Sequence, residues 1–333
     1  MPKLRVGVIY GGRSGEHEVS HLSAQSVMEA LDQNKYTIIP LEIDKAGSWR
    51  GKLIQGDPKG NPDLDVVFPV LHGTYGEDGT MQGLLELANL PYVGAGVASS
   101  AVAMDKAFMR TLFQNAGLPL LPWDSFLHYE WKNEGSEIRA RLEKNLRYPL
   151  FVKPANLGSS VGISKVKSPS DLEPALDLAF SYDRKAVVEQ GLVGPREIEC
   201  SVLGHNDPQA SVLGEIVPAH EFYDYEAKYH NDQSRLLIPA PLDSEQTQRI
   251  QAYAIRAFRA VDCSGMGRVD FLLDQNGEIF LNEINTIPGF TQISMYPKLW
   301  EHSGLPFSEL LDRLIAIALE KHQERQALRT SIS

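Results

Sequence analysis

Short apolar runs alternate with stripes of helical period along most of this chain. Residues 6–10 form a buried-strand run ending at Gly11-Gly12. A helical stripe of Leu22, Val27, Ala30 and Leu31 follows, with Ser20 as its expected cap. Strand runs recur at 37–41 and 66–71, so the first third reads as an alternating α/β unit whose ligands bind at the carboxyl ends of its strands. A helix starting near Ser99 or Ser100 is expected to carry Met104-Asp105-Lys106 and to stop at Gly117-Leu118-Pro119. The polar residues 123–147 read as helices of a second domain. Residues 149–154 read as a strand ending on a lysine, and 186–192 as a strand running into a bend. Ile250, Ala254, Ala257, Phe258 and Val261 predict a helix over 243–261. Leu310, Leu314, Ile317 and Ala318 predict a last one over 307–325.

The most informative pattern lies between those two helices. Apolar runs at 268–273 and 279–285 flank Asp274-Gln275-Asn276-Gly277-Glu278, and Asn-Gly between such runs signals a hairpin. A turn centred on Asn276-Gly277, with a loop of two or four residues, sets Asp270 opposite Glu283 and Arg268 opposite Asn285. Side chains alternate along a strand, so these four share one face. Facing carboxylates repel unless a cation, a raised pKa or a metal intervenes. Asp270, Glu283 and Asn285 offer only oxygens, the donors a hard divalent cation prefers. The same pattern also fits a solvated face that Arg268 neutralises.

Composition narrows the class. With 333 residues, 43% apolar and 23% charged, the chain suits a globular protein with about two or three cores. No apolar run reaches roughly 18 residues, the length of a spanning helix, so no membrane insertion is expected. The chain opens on strand residues without a signal-peptide pattern. Cys200 and Cys263 lie far apart, as suits reduced thiols in a cytoplasm. A net charge of −11 argues against a nucleic-acid surface.

Candidate chemistry gathers past the strand ends. Glu16 and His72 each follow one, and His72-Gly73-Thr74-Tyr75-Gly76-Glu77-Asp78-Gly79 is a glycine-dense turn into a helix. The strand ending on Lys153 runs into Asn156-Leu157-Gly158-Ser159-Ser160-Val161-Gly162, whose backbone amides can converge on an anion. Residues 221–230 mix aromatics and charges without a period, as a lid that excludes water would. The turn at 204–208 carries no evident chemistry.

Gly267-Arg268-Val269-Asp270, followed by residues 282–289, resembles the C-terminal signature of D-alanine–D-alanine ligases, members of the ATP-grasp superfamily. Residues 72–79 with Gln82-Gly83 resemble their N-terminal signature, and five blocks in all match in order. The resemblance implies an α/β fold: a Rossmann-like (pre-ATP-grasp) N-terminal domain over 1–120, then a two-lobed ATP-grasp domain. Its central ATP-binding lobe would span 121–215, and its C-terminal lobe, with the omega loop and Mg2+ site, 216–333. The implied activity is ATP-dependent ligation of two D-alanines through an acyl phosphate, for peptidoglycan precursors, in a cytoplasmic homodimer.

By the same resemblance, Glu16 anchors the first amino acid's ammonium, with Ser20 and His72 in that pocket. Lys106, Lys153, Ser159, Ser160, Glu189, Leu192, Glu197, Lys228, Asn282 and Glu283 serve ATP. Asp270, Glu283 and Asn285 hold two Mg2+ ions, or Mn2+. Arg268 and the Gly289 N–H stabilise an oxyanion, and Ser294 and Lys228 meet the second substrate. Tyr229 sets specificity and, with Ser159 and Glu16, ties the lid to the pocket. A D-alanyl-D-lactate or D-alanyl-D-serine ligase and an inactive nucleotide-binding regulator are the alternatives. The intact Asp270, Glu283, Asn285, Lys153 and Arg268 count against the last.

Overall fold

The computed structural model describes residues 2–159, 161–217, 235–291 and 293–329. The first part holds β1 (Leu4–Gly11), α1 (His17–Ala30), β2 (Tyr36–Ile43), β3 (Trp49–Arg50) and β4 (Val66–Pro69). It continues with α2 (Thr80–Leu87), α3 (Val97–Met104) and α4 (Lys106–Asn115). Its sheet runs β3-β2-β1-β4, with β1 parallel to both β2 and β4. Parallel strands covered on both faces read as continuous apolar runs, and Val66, Val67 and Phe68 are fully buried.

The second sheet, β5-β8-β6-β7, comes from β5 (Trp123–Leu127), β6 (Leu150–Pro154), β7 (Ser164–Val166) and β8 (Lys185–Gln190). It is backed by α5 (His128–Asn145) and α6 (Leu172–Tyr182), and Ile138, Leu142, Leu172 and Leu176 close its own core. The third sheet, β11-β10-β9-β12-β13, holds β9 (Arg196–Gly204), β10 (Gln209–Val217), β11 (Arg235–Leu237), β12 (Gly265–Leu273) and β13 (Ile279–Asn285). α7 (Ser244–Ala260) packs on one face of it through Ile250, Ala254 and Phe258. Burying a side chain such as Phe258 stabilises by about 1.5–3 kcal/mol. Two last helices, α8 (Met295–His302) and α9 (Phe307–Gln326), complete the chain. Leu310, Leu311, Leu314 and Ile315 of α9 share one core with Val6, Phe68, Leu203 and Met266, which joins the first sheet to the third.

Several local expectations change. Ser20 lies inside α1, where it accepts from the Gly11 N–H (2.8 Å) and donates to the Val70 carbonyl (2.5 Å), so it is no cap. Leu22 is exposed. Met104, Asp105 and Lys106 do not share a helix. Asp105 ends α3 and caps α4, accepting from the Ala107 and Phe108 N–H groups at 3.1 Å. Its lone carboxylate satisfies two orphan amides, which is why the chain restarts a helix there. Residues 123–127 are a strand, not a helix. Strands β9 and β10 pair with the sheet of β12, so a division at residue 215 does not follow the sheets.

Candidate active site

A cleft of about 950 Å³ opens where the first sheet, the loop after β6 and the third sheet meet. Its floor is the open face of the third sheet. Along β12 the burial alternates, with Val269, Phe271 and Leu273 turned to the core and Arg268 and Asp270 to the cleft. The pairing sets Arg268 opposite Asn285 and Asp270 opposite Glu283, as the hairpin pattern implied, but by a different route. Leu273 pairs with Ile279 around a five-residue loop, 274–278. The register then slips by one residue at Asn282, a β-bulge. An extra residue on one strand reverses the facing of everything beyond it. Without the bulge, Glu283 would point into the core. With it, Asn282, Glu283 and Asn285 all line the cleft.

On the other side of β12, Asp270 pairs with Glu199 of β9, and Leu272 with Glu197. Glu199, Asp270 and Glu283 therefore stand in a row across three strands, and Arg268 answers them. Its guanidinium grips Asp270 through two hydrogen bonds (2.8 and 2.7 Å) and lies 3.1 Å from Glu199. Burial alone would lower the Arg268 pKa, but Asp270 and Glu199 hold it well above its ordinary value. This face is not a solvated outer one but the lining of the cleft: Arg268 and Asp270 are half-buried there and Glu199 is buried beside them. Asp270, Glu283 and Asn285 fit a hard cation by donor chemistry, because all three are oxygen ligands on one face. Asp270 would then exchange part of its Arg268 grip. Asn285 Oδ1 also accepts from the Ile287 N–H (3.0 Å), which orients it.

The far wall comes from the carboxyl ends of β1 and β4. Glu16 caps the start of α1 by position, and Ser159 donates to it at 2.5 Å, tying the glycine-rich loop to the first domain. Gly73 has a φ of +73°, and a Cβ there would sit 2.8 Å from both a Glu16 oxygen and Ser14 Oγ, so a side chain would be strained and would displace Glu16. His72 is buried, its Nδ1 3.0 Å from the Ile287 carbonyl and its Nε2 3.1 Å from Ser23 Oγ. Burial holds its pKa below the ordinary value, so the ring stays neutral. Glu77, not singled out from sequence, accepts from Gly73 N (2.7 Å) and Ile287 N (3.2 Å) on the same wall. Its burial, reinforced by Glu16, pushes it up to about 8.

The remaining wall carries cations. Lys106 donates to the Leu157 carbonyl (2.6 Å) and lies 3.9 Å from Glu283. Burial and the neighbouring Lys153 and Arg110 lower its pKa, against the pull of Glu283 and Glu189. Behind it Glu189 is paired with both Lys153 and Arg110, all three buried. Arg110 was not legible as a site residue, because nothing local to α4 says that it meets a strand 79 positions away.

The structure thus gathers Glu16, His72, Lys106, Ser159, Glu197, Arg268, Asp270, Asn282, Glu283, Asn285, Gly289 and Ser294 along one cleft. Ser20 supports it from inside α1, while Lys153 and Glu189 stand behind Lys106, and Leu192 sits past β8 off the cleft lining. Ser160, Lys228 and Tyr229 lie outside the described residues.

Family models described as D-ala D-ala ligase C-terminus and N-terminus match residues 112–316, and 5–61 with 52–95, respectively. A D-alanine–D-alanine ligase of Solibacter usitatus is 54% identical, the match covering 98% of this chain and 99% of that one. One from Geobacillus thermodenitrificans is 50% identical, with 98% of each covered. Among solved structures, the D-alanine-D-alanine ligase from Coxiella burnetii superposes with a TM-score of 0.87 at 40% identity, covering 98% of this chain and 97% of that one. A D-Ala:D-Ser ligase from Enterococcus faecalis reaches 0.86 at 37% identity, covering 95% and 100%. Matches of this length and identity make the chain a member of the D-alanine–D-alanine ligase family, with its ATP-grasp fold.

Proposed function

We propose that the protein joins two D-alanines, with ATP as co-substrate, to D-alanyl-D-alanine for peptidoglycan precursors. The observation that carries this reading is the cleft that sets the Arg268, Asp270, Glu283 and Asn285 face across from Glu16 and His72. Forming an amide from a carboxylate requires an activated acyl group, and phosphorylation by ATP supplies one. Two Mg2+ ions, or Mn2+, held by Asp270, Glu283 and Asn285, would draw charge from the phosphates as the phosphoryl group moves.

The chain's own residues do the rest. Lys106, Lys153 and Lys228 screen the phosphates, and Glu189, Leu192, Glu197, Asn282 and Ser160 complete the nucleotide site. Glu16, with Ser20 and His72 behind it, takes the ammonium of the first D-alanine. The amine of the second D-alanine, held through Ser294 and Lys228, attacks the acyl phosphate. Arg268 and the Gly289 N–H receive the oxyanion that develops. Ser159, Tyr229 and Glu16 close out water, which would otherwise hydrolyse the acyl phosphate. The three sheets correspond on this reading to a substrate domain and two lobes that hold ATP between them. The enzyme would act in the cytoplasm as a homodimer, with no nucleic-acid partner. No helix among the described residues is long and apolar enough to cross a membrane.

The test is ADP release with D-alanine, L-alanine, D-serine and D-lactate in parallel. D-alanine-dependent release with dipeptide formation is expected, and nucleotide binding without it would leave the inactive regulator as the reading. The likeness to a D-Ala:D-Ser ligase keeps a second reading in play, decided by competition between D-alanine and D-serine as second substrate. For Tyr229→Phe the expected outcome is greater acceptance of D-lactate at high pH, and unchanged selectivity would end the specificity role of that tyrosine.

A further inference from the structure

Helix α1 carries a second constellation that the ligase reaction does not use. His17 and His21 stand one helical turn apart, on the same side. Their Nε2 atoms approach to 3.1 Å, with ring centroids 4.6 Å apart and planes inclined by 47°. His17 is buried, and its Nδ1 lies 2.9 Å from the Gly12 carbonyl oxygen. A carbonyl only accepts, so the His17 proton sits on Nδ1 and its Nε2 presents a lone pair. The half-buried His21 ring stands edge-on to Tyr10, with centroids 5.0 Å apart. The His17 ring is therefore anchored by Gly12, whereas the His21 ring is packed on Tyr10 and can turn about its side-chain bonds. An imidazole oriented by an Nδ1–H bond to a backbone carbonyl is the outer support that metal-binding histidines have. Two nitrogens at about 2.0–2.1 Å from one tetrahedral ion stand roughly 3.3 Å apart, close to the spacing already present.

We propose that His17 and His21 chelate one late first-row divalent ion (Zn2+, Ni2+ or Cu2+) through both Nε2 atoms. No group of three or more His, Cys, Asp or Glu side chains gathers to hold a metal among the described residues, so water fills the remaining positions. In the free protein His21 Nε2–H donates to His17 Nε2. On binding, that proton moves to His21 Nδ1, and both Nε2 lone pairs turn to the ion. Glu18, exposed in the first turn of α1, lies within Coulombic reach of both rings, but its carboxylate is paired with Lys45 at 2.7 Å, so the two imidazoles alone supply the protein's ligands. Imidazoles favour these ions, whereas the oxygen donors of the cleft favour Mg2+ or Mn2+, so the two sites are chemically separable.

The test titrates the full-length protein with Ni2+ or Zn2+ against a chromophoric chelator, with Mg2+ saturating. One ion per chain is expected, bound at least about tenfold more weakly by His21→Gln, since losing even an outer partner of a metal ligand costs 10–100-fold. Because His17 is buried, the decisive variant is at His21, checked for an unchanged Tm without metal. As a readout on the unaltered protein, the electron-paramagnetic-resonance spectrum of one equivalent of Cu2+ should show coupling to two imidazole nitrogens. Equal affinity in His21→Gln, or a copper spectrum of oxygen ligands alone, overturns the site.

Discussion

Glu77 lines the cleft, Glu189 stands behind its cationic wall, and the two meet desolvation with opposite outcomes. Glu77 faces a second carboxylate, Glu16. Desolvation and that like charge outweigh two backbone amides and the smaller pull of Arg268, so it is pushed up to about 8. Glu189 suffers the same desolvation, but Arg110 and Lys153 outweigh it and hold its carboxyl below the ordinary range. Two amides and a cation that makes no direct bond to it do not offset the loss of water around a carboxylate that also faces a like charge; two cations in direct contact do. One wall of the cleft therefore holds a proton on Glu77, while the support behind the opposing cationic wall is locked by ions.

The contrast breaks most sharply on the ionic side. Glu189→Gln leaves Arg110 and Lys153 buried without their acid, and removing one partner of a buried pair costs about 3–5 kcal/mol. The urea midpoint should fall accordingly, and a loss below about 1 kcal/mol would mean that the cations do not depend on it. Arg268→Ala comes next, with a fall in kcat of about 2.7–4 kcal/mol in activation free energy. Stability should fall as well, since Arg268 separates Asp270 from Glu199. Near-normal turnover would remove its place in the chemistry.

On the other wall the effects are smaller. Ser159→Ala removes the hydrogen bond to Glu16 and should raise the amino-acid KM roughly tenfold, about 1.5 kcal/mol, the worth of a bond to a charged group. Glu77→Gln is the finest probe. The folded protein keeps a proton on Glu77 from its ordinary value of 4.5 up to about 8, where the unfolded chain has lost it. Native stability contributed by that group is therefore present below pH 4.5 and declines as pH rises toward 8. Glu77→Gln should match the parent in denaturant near pH 4.5 and exceed it progressively toward pH 8. Parallel profiles would show that Glu77 is ionised and that the two carboxyls are alike.

How much of this was legible depended on how far apart the interacting residues lie. The apolar stripe of 243–261 and that of the last helix are periodic over many turns, and Ile250, Ala257, Phe258, Leu310 and Leu314 are buried as that period implied. Signature residues from Gly267 to Gly289 are contiguous in sequence, so the Asp270–Glu283 pair could be read from one hairpin. Glu199 escaped notice, although Glu197 and Glu199 alternate as residues sharing a strand face must. Its pairing with Asp270 joins segments 71 positions apart. Arg110 was missed for the same reason.

Local sequence, then, determined the helices, the apolar strands and the oxygen-bearing signature, because periodicity and turn chemistry act within a few residues. Tertiary structure decided which carboxylates are charged. It also decided, through the bulge at Asn282, that Glu283 faces the cleft rather than the core. Ionisation depends on what the remainder of the chain brings within a few ångströms, and side-chain facing on the register of a whole sheet, and neither quantity is local.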